Sequence, residues 1–567
     1  VSAPVSAPAL LRGTGIGRGT AVGPVLRMPD PVPDPTDTPS ALTPDEEKAR
    51  ATEALAATAA QLRERGQAAG GTAAEVLDAL AMMAEDPSLA TDVQQRIEKG
   101  ATAEYAVFAA MDAFRELLAG MGGYLGERAD DLGDVARRAI ARLQGLPAPG
   151  VPESEHPFIL VARDLAPADT ATLDLDRVLA LVTTEGGPTS HTAILAREKG
   201  ITAIVGALQA AELNDGDLVL VDAENGTIEL DPAQERIDLA VQRTATLQAI
   251  RAASSGPGRL ADGHAVPLLA NIGSPESARE AAARGAEGVG LFRTEVLFLG
   301  AEKAPSVEEQ AATYREVFAN FPGQKVVVRV LDAGADKPLA FLTDAGEENP
   351  ALGRRGLRAL AAHEEVLRDQ LTALAQAAEG SEAEVQVMAP MVSTAQEATY
   401  FRDLAHELGI RIAGVMVEVP SCAIMADHVV PNADFVSIGT NDLTQYVFAA
   451  DRLLGSVAGF QNPWHPAVLR LIQQVGSAGT EHGVPVGICG EAAADPLLAV
   501  VLVGLGATTL SMSSTSIADV RAEISQYTLD EARALAAIAV AADSAESARD
   551  AVAAAADELD PVEPAAP

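Results

Sequence analysis

The stretch GGPTSHTAILARE, Gly186 to Glu198, sets a histidine between two hydroxyl residues, Ser190 and Thr192. A Gly-Gly-Pro turn precedes it and an apolar, helix-like run follows. His191 therefore falls in the first turn of a helix, where backbone N–H groups lack partners and the helix dipole is positive. A neutral imidazole is a competent nucleophile near neutral pH. A phosphoryl group carried on it would be stabilised by those amides. Thr189, Ser190 and Thr192 could add hydroxyl donors, and Arg197 lies further along. A histidine that only caps the helix or faces solvent fits the same local pattern equally well. Metal binding fits less well, because positions 194 and 195 are Ile and Leu. HEEVL and HELGI lack the second histidine of a zinc-protease helix.

A second set of candidates closes apolar runs further on. Arg293 and Glu295 follow GVGLF, and Arg329 and Asp332 follow KVVV. Glu418 ends IAGVMV, Asn441 and Asp442 end FVSIGT, and Cys489 and Glu491 end VPVGI. Arg452 and Lys337 stand close by. Guanidinium forks match phosphate and carboxylate oxygens. Glu418 and Asp442 suit a hard divalent ion such as Mg²⁺, which takes one or two carboxylates and fills its shell with water and substrate oxygens. Salt bridges tying strand ends together are the competing explanation. So many cations at strand ends of an acidic chain favour a site. Cys489 falls where a strand hands over to a loop, and a thiol there could exchange a proton with carbon. Cys422, in VPSCAIM, reads as a packing residue.

These groups need a frame. The glycine-rich start, LRGTGIGRGTAVGPVL, never gives G-x-G-x-x-G and reads as a strand with tight turns. From Thr43 to Leu146 the chain is rich in Ala, Glu, Arg and Leu with helical periodicity, which predicts a helical bundle at 43–146. Strands and helices then alternate to about Asp231. This predicts an α/β domain of residues 1–42 and 147–231, with the bundle inserted in it. Residues 232–255 read as a helical linker. Beyond lie eight apolar runs separated by helical patterns: VPLLANIG, GVGLFRTE, KVVVRVLDAG, EVQVMAPMV, IAGVMVEVP, FVSIGTND, VPVGICGE and TTLSMSS. They predict a (β/α)₈ TIM-type barrel within 256–567, a fold whose sites sit at the C-terminal ends of strands.

Composition narrows the function. The 567 residues exceed one core, and a hydrophobic content of 48% with only 3% aromatics makes Ala, Val, Leu and Ile the packing material. A net charge of −39 argues against non-specific nucleic-acid binding and favours a basic protein partner. Two distant cysteines make neither a disulfide framework nor a metal cluster. No apolar run reaches 18 residues and the start lacks a signal-peptide layout, so the expectation is a cytoplasmic protein without membrane insertion.

Together GGPTSHTAILARE, GVGLFRTE, RVLDAGADKP, ENPALGRRGLR, VMVEVPS, FVSIGTNDLTQYVFAADR and GICGEAAAD resemble enzyme I of the bacterial phosphotransferase system, the phosphoenolpyruvate–protein phosphotransferases. The likeness runs from about Leu11 to Thr528. It implies that His191 is phosphorylated, that Arg293, Arg329, Lys337, Asn441, Asp442 and Arg452 bind phosphoenolpyruvate, and that Glu418 and Asp442 hold Mg²⁺. It implies that Cys489 protonates the enolate to give pyruvate. The bundle would dock the carrier protein HPr, the barrel would form a homodimer, and the α/β domain would swing about the linker. Leu80, where many relatives carry a histidine, departs from the pattern near the carrier-docking surface. A dikinase, the nearest alternative, needs a nucleotide-binding domain for which this chain has neither room nor a G-x-x-x-x-G-K-[ST] loop. A non-catalytic phosphoenolpyruvate sensor could dispense with His191 or Cys489, and both are present.

Overall fold

The computed structural model describes residues 10–559, except 18, 30–31, 70–77, 79, 122–128, 147–149, 153, 155, 166–172, 175–176, 188–189, 191, 194–195, 197–199, 254–255, 299–300, 302, 334–338, 340, 343–346, 348 and 453. Two compact units divide the chain, Val1–Thr246 and Leu247–Pro567.

The first unit opens with three strands, β1 (Leu10–Arg12), β2 (Thr14–Ile16) and β3 (Thr20–Arg27), where the sequence suggested one. Glycines break the run into short pieces. After the helical segment come β4 (Phe158–Ala162), β5 (Val178–Thr183), β6 (Ala203–Val205), β7 (Leu218–Asp222) and β8 (Thr227–Leu230). All eight form one sheet, in the order β1-β8-β7-β3-β4-β5-β6-β2. β3 pairs parallel with β4 and antiparallel with β7, so the helical segment is inserted between neighbouring strands. Side chains alternate across a strand. Phe158, Leu160 and Ala162 thus serve one core, and Ile159 and Val161 the other. A strand covered on both faces has no polar position, which is why FILVA is wholly apolar.

The inserted segment holds α1 (Pro44–Ala69), α2 (Pro87–Glu98), α3 (Ala103–Met121) and α4 (Ala129–Leu143). Leu89, Val93 and Ile97 lie at four-residue spacing on α2 and meet Leu55, Leu62, Val107 and Val135 in one core. Asp86 caps α2, accepting from the Ser88 N–H at 2.7 Å, with Pro87 in the first turn. Glu47, 2% exposed, accepts the N–H of Ala103 at 3.1 Å and so satisfies the start of α3. Leu80 is fully buried in this core. The helix α5 (Gln234–Ala253) spans the boundary between the two units.

In the second unit the eight apolar runs become β9 (Leu268–Ile272), β10 (Gly288–Arg293), β11 (Lys325–Arg329), β12 (Glu384–Ala389), β13 (Ala413–Val417), β14 (Val436–Gly439), β15 (Val486–Cys489) and β16 (Thr509–Met512). They close into a parallel barrel, with β16 pairing back onto β9. Reciprocal capping boxes at Ser274, Ser306 and Thr394 start the helices that follow β9, β10 and β12. Inside the barrel Leu291, Val327, Met388, Met416, Phe435 and Cys489 pack together. The Ala-rich tail forms two further helices, Leu529–Ala541 and Ala545–Asp557.

Candidate functional site

The ends of β10, β11, β13, β14 and β15 gather most of the residues singled out above. Arg293 and Arg329 are the last residues of β10 and β11, and Glu418 directly follows β13. Asn441 and Asp442 lie in the first turn of the helix Thr440–Phe448, immediately after β14, and Arg452 follows that helix. Cys489 is the last residue of β15. His191 and Lys337 lie outside the described residues.

An alternating lattice of charges holds this end of the barrel. Arg329, 6% exposed, is 2.7 Å from Glu295 and 3.0 Å from Asp332. Asp332 also accepts from Arg355 Nε and Nη2, at 3.1 and 3.0 Å. Arg355 reaches on to Asp442 Oδ1 at 2.7 Å and to the Tyr446 hydroxyl at 3.0 Å. Arg452 lies 3.2 Å from the other Asp442 oxygen. Burial lowers the pKa of both buried guanidiniums, but the surrounding carboxylates outweigh it and hold them firmly protonated. The salt-bridge explanation is therefore met in part: Arg329 and Arg452 are ion-paired. Arg293 differs, having no hydrogen-bond or ion-pair partner among the described residues. It offers a whole guanidinium to an anion.

Glu418 is also left open, as are Glu295 Oε2 and Arg329 Nε within the lattice. One oxygen accepts the Met391 N–H at 2.7 Å, while Oε2 has no partner and the residue is fully buried. Met391 holds a left-handed backbone, φ 58°, at this contact. Such a conformation costs a non-glycine residue about 1–3 kcal/mol and persists only where the surroundings impose it. Burial, then the negative charges of Asp442 and Asp332, push the Glu418 carboxyl up to about 8. A glycine faces it for a steric reason. A Cβ on Gly439 would stand 2.6 Å from Glu418 Oε2.

Asn441 Oδ1 accepts the Glu491 N–H at 3.1 Å, which fixes the side chain's orientation. Cys489 is 1% exposed. Ser437 Oγ donates to its sulfur at 3.3 Å, and the sulfur lies 3.6 Å from the Ile438 carbonyl oxygen. Burial pushes the thiol up to about 11, so it carries its proton at neutral pH and can act as an acid. Cys422 is buried in the helix Pro420–Ile424 and is pushed up to about 12, again by burial.

Sequence reasoning missed Arg355, although ENPALGRRGLR contains it. The available signal was a pair of arginines after a Pro-Gly turn, in the segment that follows a barrel strand. Near residue 191 it overestimated one donor. Thr192 is fully buried and gives its hydroxyl to Asp164 at 2.8 Å, so it is not free for an anion. Ser190 Oγ accepts the Ala193 N–H at 3.3 Å and acts as a cap. Ala193 and Ala196 are packed against Leu160, Leu181 and Ala203 of the sheet.

Three family models match the chain: PEP-utilising enzyme, N-terminal, over residues 12–128; its mobile domain over 154–226; and its PEP-binding domain over 248–529. The chain is 53% identical to the phosphoenolpyruvate-protein phosphotransferase of Streptomyces coelicolor, across 93% of this chain and 95% of that protein. It is 41% identical to the protein of the same name from Haloferax volcanii, across 84% of this chain and 86% of the other. It is 37% identical to the multiphosphoryl transfer protein of Xanthomonas campestris, across 94% of this chain and 65% of that longer protein. Among the described residues no helix is long and apolar enough to cross a membrane.

Proposed function

This chain belongs to the phosphoenolpyruvate–protein phosphotransferase family, and from that membership we propose that it moves the phosphoryl group of phosphoenolpyruvate onto His191 and then onto a histidine of the carrier HPr. That is the first step of the sugar phosphotransferase system, and it belongs in the cytoplasm. Phosphoenolpyruvate binds at the barrel's C-terminal end. Arg293, Arg329, Lys337 and Arg452 neutralise its phosphate and carboxylate, and Asn441 and Asp442 complete its contacts. Arg355 keeps Asp332 and Asp442 in place. The ester P–O bond breaks as a P–N bond forms to the imidazole. The enolate left behind takes the proton of the Cys489 thiol on its methylene carbon and becomes pyruvate.

Glu418 and Asp442 would hold Mg²⁺. The donor set fits: Glu418 presents a buried oxygen without a partner, and each carboxylate oxygen of Asp442 keeps a second lone pair beyond its arginine. Among the described residues no group of three or more His, Cys, Asp or Glu could hold a metal alone. This suits an ion that fills its shell with water and substrate oxygens. Bound there, it would offset negative charge on the transferring group.

The remaining roles follow the division of the chain. The inserted bundle receives HPr, the barrel forms the homodimer, and α5 lies in the linker across which His191 must travel between barrel and carrier. The observation that carries the reading is the buried, half-unpartnered Glu418 set among arginines at the strand ends. The test follows acid-labile label from phosphoenolpyruvate with Mg²⁺, with and without HPr. His191→Ala should abolish labelling and leave the fold intact. Full label in that variant would sink the assignment.

A further inference from the structure

Behind Cys489, at the end of the barrel opposite the arginines, lies a small cavity of mixed lining. Its walls include Lys325, Gln386, Ser437, Gly487 and Thr509, from the first half of their strands, and Ser511 from the second half of its own. Its volume of about 20 Å³ suffices for a water molecule. Val327 and Phe435 of the apolar layer line it too, so these polar groups sit among apolar walls inside the barrel. The carbonyl oxygen of Gln386, a residue 5% exposed, has no partner there. A bound water would satisfy it. Gly487 helps to keep the space open, since a Cβ would stand 3.0 Å from Thr509 Oγ1. Lys325 and Thr509 are part-exposed, so this end of the barrel communicates with solvent.

Ser437 links the cavity to the thiol. It lines the cavity and donates to Cys489 Sγ at 3.3 Å. The sulfur's other polar neighbour is the Ile438 carbonyl, which has no proton to give. Packed beside Leu291, Val327, Met388, Met416 and Phe435, Cys489 has no second donor within hydrogen-bond reach among the described residues. A thiol that gives its proton to carbon in every turnover must recover one each time.

We infer that Ser437 and the cavity behind it return protons to Cys489 from the N-terminal end of the barrel, away from the substrate. The thiolate takes the Ser437 hydroxyl proton as Ser437 takes one from a water in the cavity. That water is replenished from solvent past Lys325. One proton enters, one leaves in the methyl group of pyruvate, and no oxidation state changes. Two ends of the barrel thereby divide the work, so the thiol can be recharged while product still fills the mouth. The inference rests on Cys489 being the carbon acid.

The experiment follows pyruvate made in D₂O, with Mg²⁺ and excess HPr, from phosphoenolpyruvate carrying tritium at one defined methylene position, so that deuteron delivery gives a chiral CHDT methyl, by rapid quench through the first and later turnovers. Ser437→Ala should give a first turnover of stereospecifically deuterated pyruvate at the parental rate. Later turnovers should slow by at least about tenfold, with KM for phosphoenolpyruvate unchanged. Ser437→Thr, which keeps the hydroxyl, should restore recycling. Unchanged later turnovers in Ser437→Ala overturn the inference. So does an equal loss in the first turnover, or a Ser437→Thr protein as slow as Ser437→Ala. Cys489→Ala is run beside them. Stereospecific deuteration persisting there would remove the acid itself, an outcome distinct from any failure at Ser437.

Discussion

Glu418 holds a proton at neutral pH because burial and two neighbouring carboxylates push its pKa up to about 8. A divalent ion needs the carboxylate. Mg²⁺ binding near pH 7 should therefore release close to one proton, and affinity should rise with pH and level off above about 8. Calorimetry in buffers of different ionisation enthalpy measures this, and Glu418→Gln should abolish the release. Without metal the sign for stability is the reverse. The folded state keeps a proton that the unfolded chain loses near 4.5, so this contribution is fully present below that value and is lost as pH rises through about 8. Arg355 makes a separate prediction. Replacing it by Leu leaves Asp332 to Arg329 alone and Asp442 to Arg452 alone in a buried setting, which should cost roughly 1–3 kcal/mol in a denaturant titration, and Lys should restore only part because it lacks the planar fork. The partners of this arginine were hidden in sequence for a physical reason. Its carboxylates lie 23 and 87 residues away, and only closure of the barrel brings them together. Thr192 taught the converse, since Asp164, 28 residues earlier, claims the hydroxyl that local pattern left free. That Arg293, Glu418 and Cys489 stand at strand ends was legible, because each is a polar residue closing an apolar run.

At the scale of elements, the strand that ends in Gly439 must come close to the strand preceding Glu418. Gly439→Ala places a methyl 2.6 Å from a carboxylate oxygen and 2.8 Å from Met416 Cε. The strand ends would have to part, at roughly 1–3 kcal/mol. Metal-dependent turnover should fall far more than thermal stability does, and comparing Mg²⁺ affinity with the unfolding midpoint separates the two effects. The barrel itself was readable because each strand is a short apolar run between helical patterns, and all eight runs became strands. Their ends were not readable. In KVVVRVLDAG the strand stops at Arg329, while the apolar Val330 and Leu331 continue into a loop that remains buried. The divided glycine-rich start was likewise hidden, because its short strands pair with partners roughly 190 residues or more away.

The whole chain carries a net charge of −39, and the carrier proposed above would approach that field. Docking of a basic-faced HPr should weaken as salt rises from about 0.05 to 0.5 M, mainly through a slower on-rate, because screening shortens the reach of the attraction. Surface plasmon resonance at several ionic strengths reads this directly, and an on-rate that ignores salt would contradict it. The insertion of the bundle between β3 and β4 has a consequence for how the molecule is made. A ribosome releases β3 first, yet β7, its antiparallel neighbour, begins at Leu218, about 190 residues later. At about 5–20 residues per second, the strand waits roughly 10–40 s for that partner. The four helices of the bundle emerge within that interval and make mostly local contacts, so they can fold while the sheet cannot. The nascent chain thus passes through a stage with a finished helical bundle and a bare strand beside it. That stage, more than any property of the completed enzyme, is where a chaperone would have an edge to cover.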